Sequence, residues 1–125
     1  MIAIDGVDGA GKTELARYLS WQLGMPAVET DLFLIPESGL NYRQEDLAEV
    51  VHGRLRNERP LIVEGVRILH TLRSIGVKQD YLVWVEQIGH EGSFGLRPDI
   101  SEYMRSFNPR SAADSVFSWQ ESDAS

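Results

Sequence analysis

Residues 6–13 read GVDGAGKT, between the apolar "MIAI" and a stretch of helical character, "ELARYLSWQLG". Two structures compete for them: a glycine loop that holds phosphate, or a tight turn around Asp8-Gly9 joining the strands of a hairpin. A hairpin needs apolar and polar residues to alternate on its far side. Instead Leu15, Leu19 and Leu23, with Tyr18, recur at helical spacing, and Gly24 and Pro26 close the run. Strand, loop and helix follow in that order, with Gly6, Gly11, Lys12 and Thr13 at G-x-x-x-x-G-K-T spacing. The physics favours phosphate: glycines let the backbone curl until successive N–H groups point inward, and the helix start adds partial positive charge. Lys12 is then expected at the terminal phosphates of ATP and the Thr13 hydroxyl on Mg²⁺, with Asp8, Gly9, Ala10 and Glu14 completing the nucleotide-binding loop.

Working outward, "AVET" (27–30) reads as a second strand. Residues 43–57 read as a helix with Leu47, Val50, Val51 and Leu55 on one face. "LIVEG" (61–65) has the length and content of a buried strand, 66–76 of a short helix ending at Gly76, and "YLVWVE" (81–86) of another strand. Three glycines and a proline make 87–99 a loop; 100–107 is a helix stopped by Asn108-Pro109, and "SVFSW" (115–119) a last strand. Trp21 and Trp84 are expected in the core, while Trp119 either packs the last strand or stays partly exposed. Strands alternating with helices predict an α/β domain over 1–119, a parallel sheet with helices on both faces, and a frayed tail at 120–125. Ligands of such sheets lie at the carboxyl ends of the strands.

Composition narrows the function. The 125 residues are 42% apolar and 25% charged, the makeup of one globular domain. A net charge of −7 disfavours nucleic acid and anionic membrane as partners. There is no cysteine, which excludes disulfides, thiolate metal sites and thiol catalysis. No apolar run approaches a membrane span, so a cytoplasmic location is expected. His52, His70 and His90 lack ligand spacing and are expected to be ordinary helix or surface residues.

Two carboxylates follow predicted strands. Glu64 can orient Mg²⁺ or hold the loop, or can simply face solvent at a strand exit. Asp31 can accept a proton from a substrate hydroxyl, or can cap a turn. Tyr42 either touches the acceptor or belongs to an ordinary helix approach.

"IDGVDGAGKT" is similar to the opening of the P-loop nucleoside and nucleotide kinases, and with "TDLFL" and "PLIVEG" the chain resembles the uridine kinase family. "SAADSVFSW" resembles a segment near that family's end. The resemblance implies a three-layer fold with a five-stranded sheet in the order 2-3-1-4-5. It implies an ATP-dependent kinase in which Asp31 activates a hydroxyl of a nucleoside or similar acceptor, Phe33 lines the acceptor site, and Glu64 sits by the metal. Family members carry an arginine-rich lid after the fourth strand. Here that region holds one arginine, Arg97, which with Arg105 and Arg110 is the available substitute; arginines in a loop or surface helix are also commonly just solvated. A reduced nucleotide-binding module without phosphotransfer is the alternative. An N-K-x-D segment, on which guanine selection in signalling GTPases relies, is absent.

Overall fold

The computed structural model describes residues 1–120; the last five residues of the expected tail lie outside them. Its strands are β1 (Ile2–Asp5), β2 (Ala27–Glu29), β3 (Ile62–Glu64), β4 (Tyr81–Gln87) and β5 (Ser115–Trp119). They form one sheet in the order β2-β3-β1-β4-β5, and every neighbouring pair is parallel. That is the expected order and class. The register sets Ile4 of β1 opposite Glu64 of β3, so the end of β3 emerges beside the loop that follows β1.

Five helices connect the strands: α1 (Lys12–Leu23), α2 (Gln44–Arg56), α3 (Ile68–Ser74), α4 (Arg97–Phe107) and the short α5 (Pro109–Ala112). Two apolar clusters pin them to the sheet. Ala3, Val63 and Leu82 pack with Leu47 and Val51 of α2 and Ile68 and Leu72 of α3. Ile4, Ile62, Val83 and Val85 point the other way and pack with Ala16, Leu15 and Leu19 of α1. Adjacent strand residues thus serve opposite layers, as a pleated strand requires. Leu47, Ile62 and Ile68 are fully buried, each worth about 1.5–3 kcal/mol of transfer free energy.

The differences from the sequence reading are local. α4 begins at Arg97, three residues earlier than expected, because Pro98 is tolerated in a first turn and Asp99 complements the helix's positive end. A 3-10 turn, Phe94–Leu96, shortens the loop before it, and α5 fills part of the gap to β5. Another 3-10 turn, Thr30–Phe33, takes Thr30 out of the expected second strand. Trp21 is 78% exposed and not core, since two residues beyond Leu19 lies on the opposite side of a helix. Val50 likewise flanks the buried pair Leu47 and Val51 and is exposed. Trp84 is buried as expected. Among the described residues no helix is long and apolar enough to cross a membrane.

Candidate functional site

β1 ends in Asp5, and the loop from Gly6 to Gly11 runs directly into α1. A side chain at Gly6 would collide with the Val85 carbonyl oxygen of β4, so only glycine lets the loop leave the sheet there. Gly11 precedes α1 in the left-handed region, φ 99°, and no side chain caps the helix start. The first N–H groups of α1 therefore have no helical or side-chain partner, which is the arrangement that binds an anion.

Lys12 lies inside this loop. Its ammonium donates to the Val7 carbonyl at 2.7 Å, and the residue is buried. Burial pulls its pKa down, against the opposing fields of Glu64, Asp5, Asp31 and Asp8. The Thr13 hydroxyl donates to Glu64 Oε1 at 3.0 Å. Glu64 is almost fully buried, and its pKa is raised by that burial, countered by the Thr13 hydrogen bond and Lys12. Glu64 thus faces the loop and not solvent. A carboxylate can stay at such a place because a hydroxyl and a cation offset its desolvation.

A cavity of about 850 Å³ opens over the loop. Asp8, Gly9, Gly11, Lys12, Thr13 and Glu14 line it from the loop and the first turn of α1. Glu64 of β3, Asp31, Leu34, Leu40 and Val66 from the segments after β2 and β3, Leu96 from before α4, and Leu15, Tyr18, Phe117 and Trp119 from α1 and β5 complete the lining. Gly6 and Ala10 shape the loop from beneath, and Ala10 is fully buried.

Other expected site residues lie away from that wall. Phe33 packs against the cluster of α2 and α3, while its neighbour Leu34 reaches the cavity. Tyr42 is buried and bridged to Leu34; its hydroxyl and that of Thr30 have no partner of hydrogen-bond geometry, although Thr30 is close enough to act on the Tyr42 pKa. Burial is the main influence there and raises it. Arg97 lies over the Phe94 ring, 5.4 Å from its centroid, and pairs with Glu91 at 3.5 Å; its neighbour Leu96, and not Arg97 itself, lines the cavity. Arg110 donates to Glu86 at 2.7 Å.

Sequence reasoning named Asp8 as a loop residue but missed Asp5, and missed how the two carboxylates tie the loop to the rest of the protein. Asp5 is fully buried. Its Oδ1 accepts from Gly6 N at 2.9 Å and Ile68 N at 3.5 Å, and its Oδ2 from the Tyr103 hydroxyl of α4. Tyr103 in turn accepts from Leu69 N at 3.1 Å, so the end of β1, the start of α3 and the middle of α4 share one polar knot. Burial raises the Asp5 pKa to about 6, against the Tyr103, Gly6 and Ile68 hydrogen bonds. Asp8 carries the loop after β4: its carboxylate accepts from the Ser93 N–H at 2.9 Å and from the Ser93 hydroxyl, and its carbonyl accepts from His90 Nε2 at 2.8 Å. Burial works to raise the Asp8 pKa, and the Ser93 hydrogen bonds prevail and lower it. The one signal in sequence for Asp5 is a carboxylate ending an apolar strand immediately before the glycine loop.

The donor set bears on Mg²⁺. Among the described residues no three or more histidine, aspartate or glutamate side chains are grouped to hold a metal ion alone. Mg²⁺ commonly takes one or two protein ligands, completing its shell with water and phosphate oxygens. The paired Thr13 hydroxyl and Glu64 carboxylate are hard oxygen donors that fit that mode.

A parallel sheet with β1 feeding a glycine loop, an uncapped helix and a neighbouring strand-end carboxylate defines the P-loop fold, in the strand order of its small-molecule kinases. Solved structures bear this out. A possible uridine kinase from Bacillus stearothermophilus superposes with TM-score 0.65 at 18% identity, covering 93% of this chain and 86% of that one. A sugar kinase from Janibacter sp. gives 0.56 at 16% identity, over 95% and 83%. Shikimate kinase from Acinetobacter baumannii, in complex with shikimate, gives 0.56 at 15%, over 99% and 84%. No protein-family model and no curated protein matches the chain.

Proposed function

We propose that the protein is an ATP-dependent kinase that transfers the γ-phosphate to a hydroxyl of a nucleoside or similarly compact acceptor. The observation that carries this reading is one cavity shared by Lys12, Thr13, Glu64 and Asp31. Its loop side suits a triphosphate, and Asp31 lines the same cavity as a carboxylate within the wall that an acceptor would face. The uridine kinase-like form of the reading rests on "DLF" and "VEG" at the ends of β2 and β3, and on the likeness in fold to a possible uridine kinase.

In this mechanism the loop N–H groups and Lys12 bind the phosphates, and Gly6 and Gly11 keep those donors fixed before substrate arrives. Mg²⁺, when bound with the nucleotide by Thr13 and Glu64, supplies neutralisation of phosphate charge. Asp31 accepts the proton of the acceptor hydroxyl as that oxygen attacks the γ-phosphorus; the bond to the β,γ-bridging oxygen breaks and ADP leaves. Leu34, Leu40 and Val66 keep water from the acceptor's end. Arg97 can contribute only by leaving Glu91.

That last point favours a second reading, a nucleotide-binding module without transfer, because Lys12 is the only cation in the cavity wall among the described residues. Incubation with γ-labelled ATP and a panel of nucleosides, sugars and hydroxy acids separates the two. Label appearing in an acceptor establishes the kinase, and ATP binding with no transfer to any acceptor establishes the module.

A further inference from the structure

Among the described residues, two hydroxyls donate to carboxylates that line the cavity: Thr13 to Glu64 at 3.0 Å, and Ser93 to Asp8. In the proposed mechanism Thr13 serves the metal and Ser93 has no part, although it is held as firmly. Its N–H donates to both Asp8 carboxylate oxygens at 2.9 Å, and its hydroxyl to Oδ2. The close seat depends on two glycines. A side chain at Gly92 would begin 2.6 Å from Asp8 Oδ1, and one at Gly9 would begin 2.7 Å from His90 Nε2, so residues 90–93 lie directly across residues 7–9 of the loop.

Asp8 is also beside the cation of the site. Lys12 Nζ is hydrogen-bonded to the carbonyl of Val7, the residue before Asp8, and the fields of Lys12 and Asp8 act on one another. Against partial burial, the Ser93 hydrogen bonds hold the Asp8 pKa below the usual carboxylate value, so at neutral pH the group is ionised and able to accept a proton. A terminal phosphate gripped by Lys12 arrives on the stretch of wall where a hydroxyl already donates to a carboxylate. That is the pairing of nucleophile and base on which phosphoryl transfer to an alcohol relies. Ser93 is exposed, and its segment has glycines at 89, 92 and 95, the first two at φ 85°, so the backbone can turn the hydroxyl toward a bound phosphate.

We propose that Ser93 is a phosphate acceptor within its own chain, phosphorylated from the ATP that the glycine loop holds. Its Oγ attacks the γ-phosphorus as Asp8 takes the hydroxyl proton; the Oγ–P bond forms, the bond to the β,γ-bridging oxygen breaks with its electron pair, and ADP leaves. The product sets a phosphoserine of about −1.5 to −2 charge against the Asp8 carboxylate, which unlatches residues 88–97 from the loop. The inference rests on the reading of the loop as the site of a transferable triphosphate, and the two fail separately. The full chain is incubated with Mg·ATP labelled at the γ-phosphate and no small acceptor, while Kd for Mg·ATP is taken by calorimetry. Acid-stable label is expected on the peptide that holds Ser93, at a rate per chain independent of protein concentration. Ser93→Ala is expected to lower the label at least about tenfold and leave Kd within about twofold, Ser93→Thr to restore the label, and Asp8→Asn to slow labelling by about 10²-fold or more. Ser93 is exposed, so its truncation leaves the core intact. A chain that binds Mg·ATP and gains no label, or gains it elsewhere, overturns the inference and leaves the loop reading standing. A rate per chain that rises with protein concentration makes the transfer one between molecules, and equal labelling of Lys12→Met assigns it to a foreign kinase; either also overturns it. If the wild-type chain binds no Mg·ATP, the loop reading itself falls and this inference with it.

Discussion

The charged groups at the ends of β1 and β3 and those of residues 88–97 are held by opposite means. Asp5, Lys12 and Glu64 are at most 6% exposed, and each is tied by hydrogen bonds to backbone or side chains of neighbouring elements. Arg97 and Glu91 meet in solvent, with side chains 47% and 79% exposed, and such pairs contribute little. What fastens their segment to the site is Asp8, through Ser93 and His90. The difference teaches where preorganisation lies. In the proposed kinase the grip on phosphate would be set into strand ends, where reorganisation costs nothing at the moment of reaction, whereas anything that residues 88–97 supply must first move.

The largest expected effect concerns the exposed carboxylate that shares the cavity with the buried groups. Asp31→Asn should lower kcat by about 10²–10⁴-fold while Kd for Mg·ATP, by calorimetry, stays within about twofold. Equal losses in both would remove Asp31 from the chemistry and leave it a turn residue.

The next tests the cost of burying a carboxylate beneath the loop. Asp5 titrates near 3.8 when unfolded and about 6 when folded, because burial outweighs its hydrogen bonds. Below pH 4 both states are protonated; between pH 4 and 6 the folded chain alone keeps the proton; above 6 both are ionised and the folded chain bears a buried charge. Stability from this group therefore falls as pH rises through that window, by about 3 kcal/mol. Urea denaturation at pH 4, 5, 6 and 7 should show that fall in the wild type relative to Asp5→Asn, which has no proton to lose. Parallel profiles would mean that Asp5 is not desolvated as its position indicates.

Lys12→Met removes the cation of the same region and keeps the bulk of its stem. Charge-assisted hydrogen bonds of this kind are worth about 1.5–3 kcal/mol, so Kd for Mg·ATP should rise by about 10- to 100-fold. Binding that survives unchanged would move the phosphates elsewhere in the cavity.

Most of the fold could be read from the chain because its signals are local. The spacing from Gly6 to Thr13, the helical recurrence of Leu15 and Leu19 and the apolar run before Glu64 each state their element within a few residues. Asp5 is different. A carboxylate at a strand exit reads as solvent-facing until Tyr103, 98 residues later, covers it. Trp21 erred the other way: aromatic content suggested core, while the period of α1 set it on the open side. The part of the cavity wall made by α1 and β5 was hidden for a similar reason. Tyr18 looked like a helix residue and Trp119 like strand packing, and only the parallel pairing of β4 with β5 brings Phe117 and Trp119 beside the loop.

Arg97 gives the smallest expected effect and the sharpest test of the contrast. As it lies, its guanidinium is engaged with Glu91 and Phe94 and outside the cavity wall, so Arg97→Ala should change kcat by less than about threefold. A positioned arginine at the transferring phosphate is worth about 10³-fold or more, so the two states of affairs are far apart. A loss of that size would mean that residues 88–97 swing Arg97 onto the phosphates during turnover. Glu91→Gln would then raise kcat, because it releases the guanidinium from its resting partner. If neither substitution moves kcat, the transfer runs on Lys12 and the loop N–H groups alone, and residues 88–97 supply no cation to it.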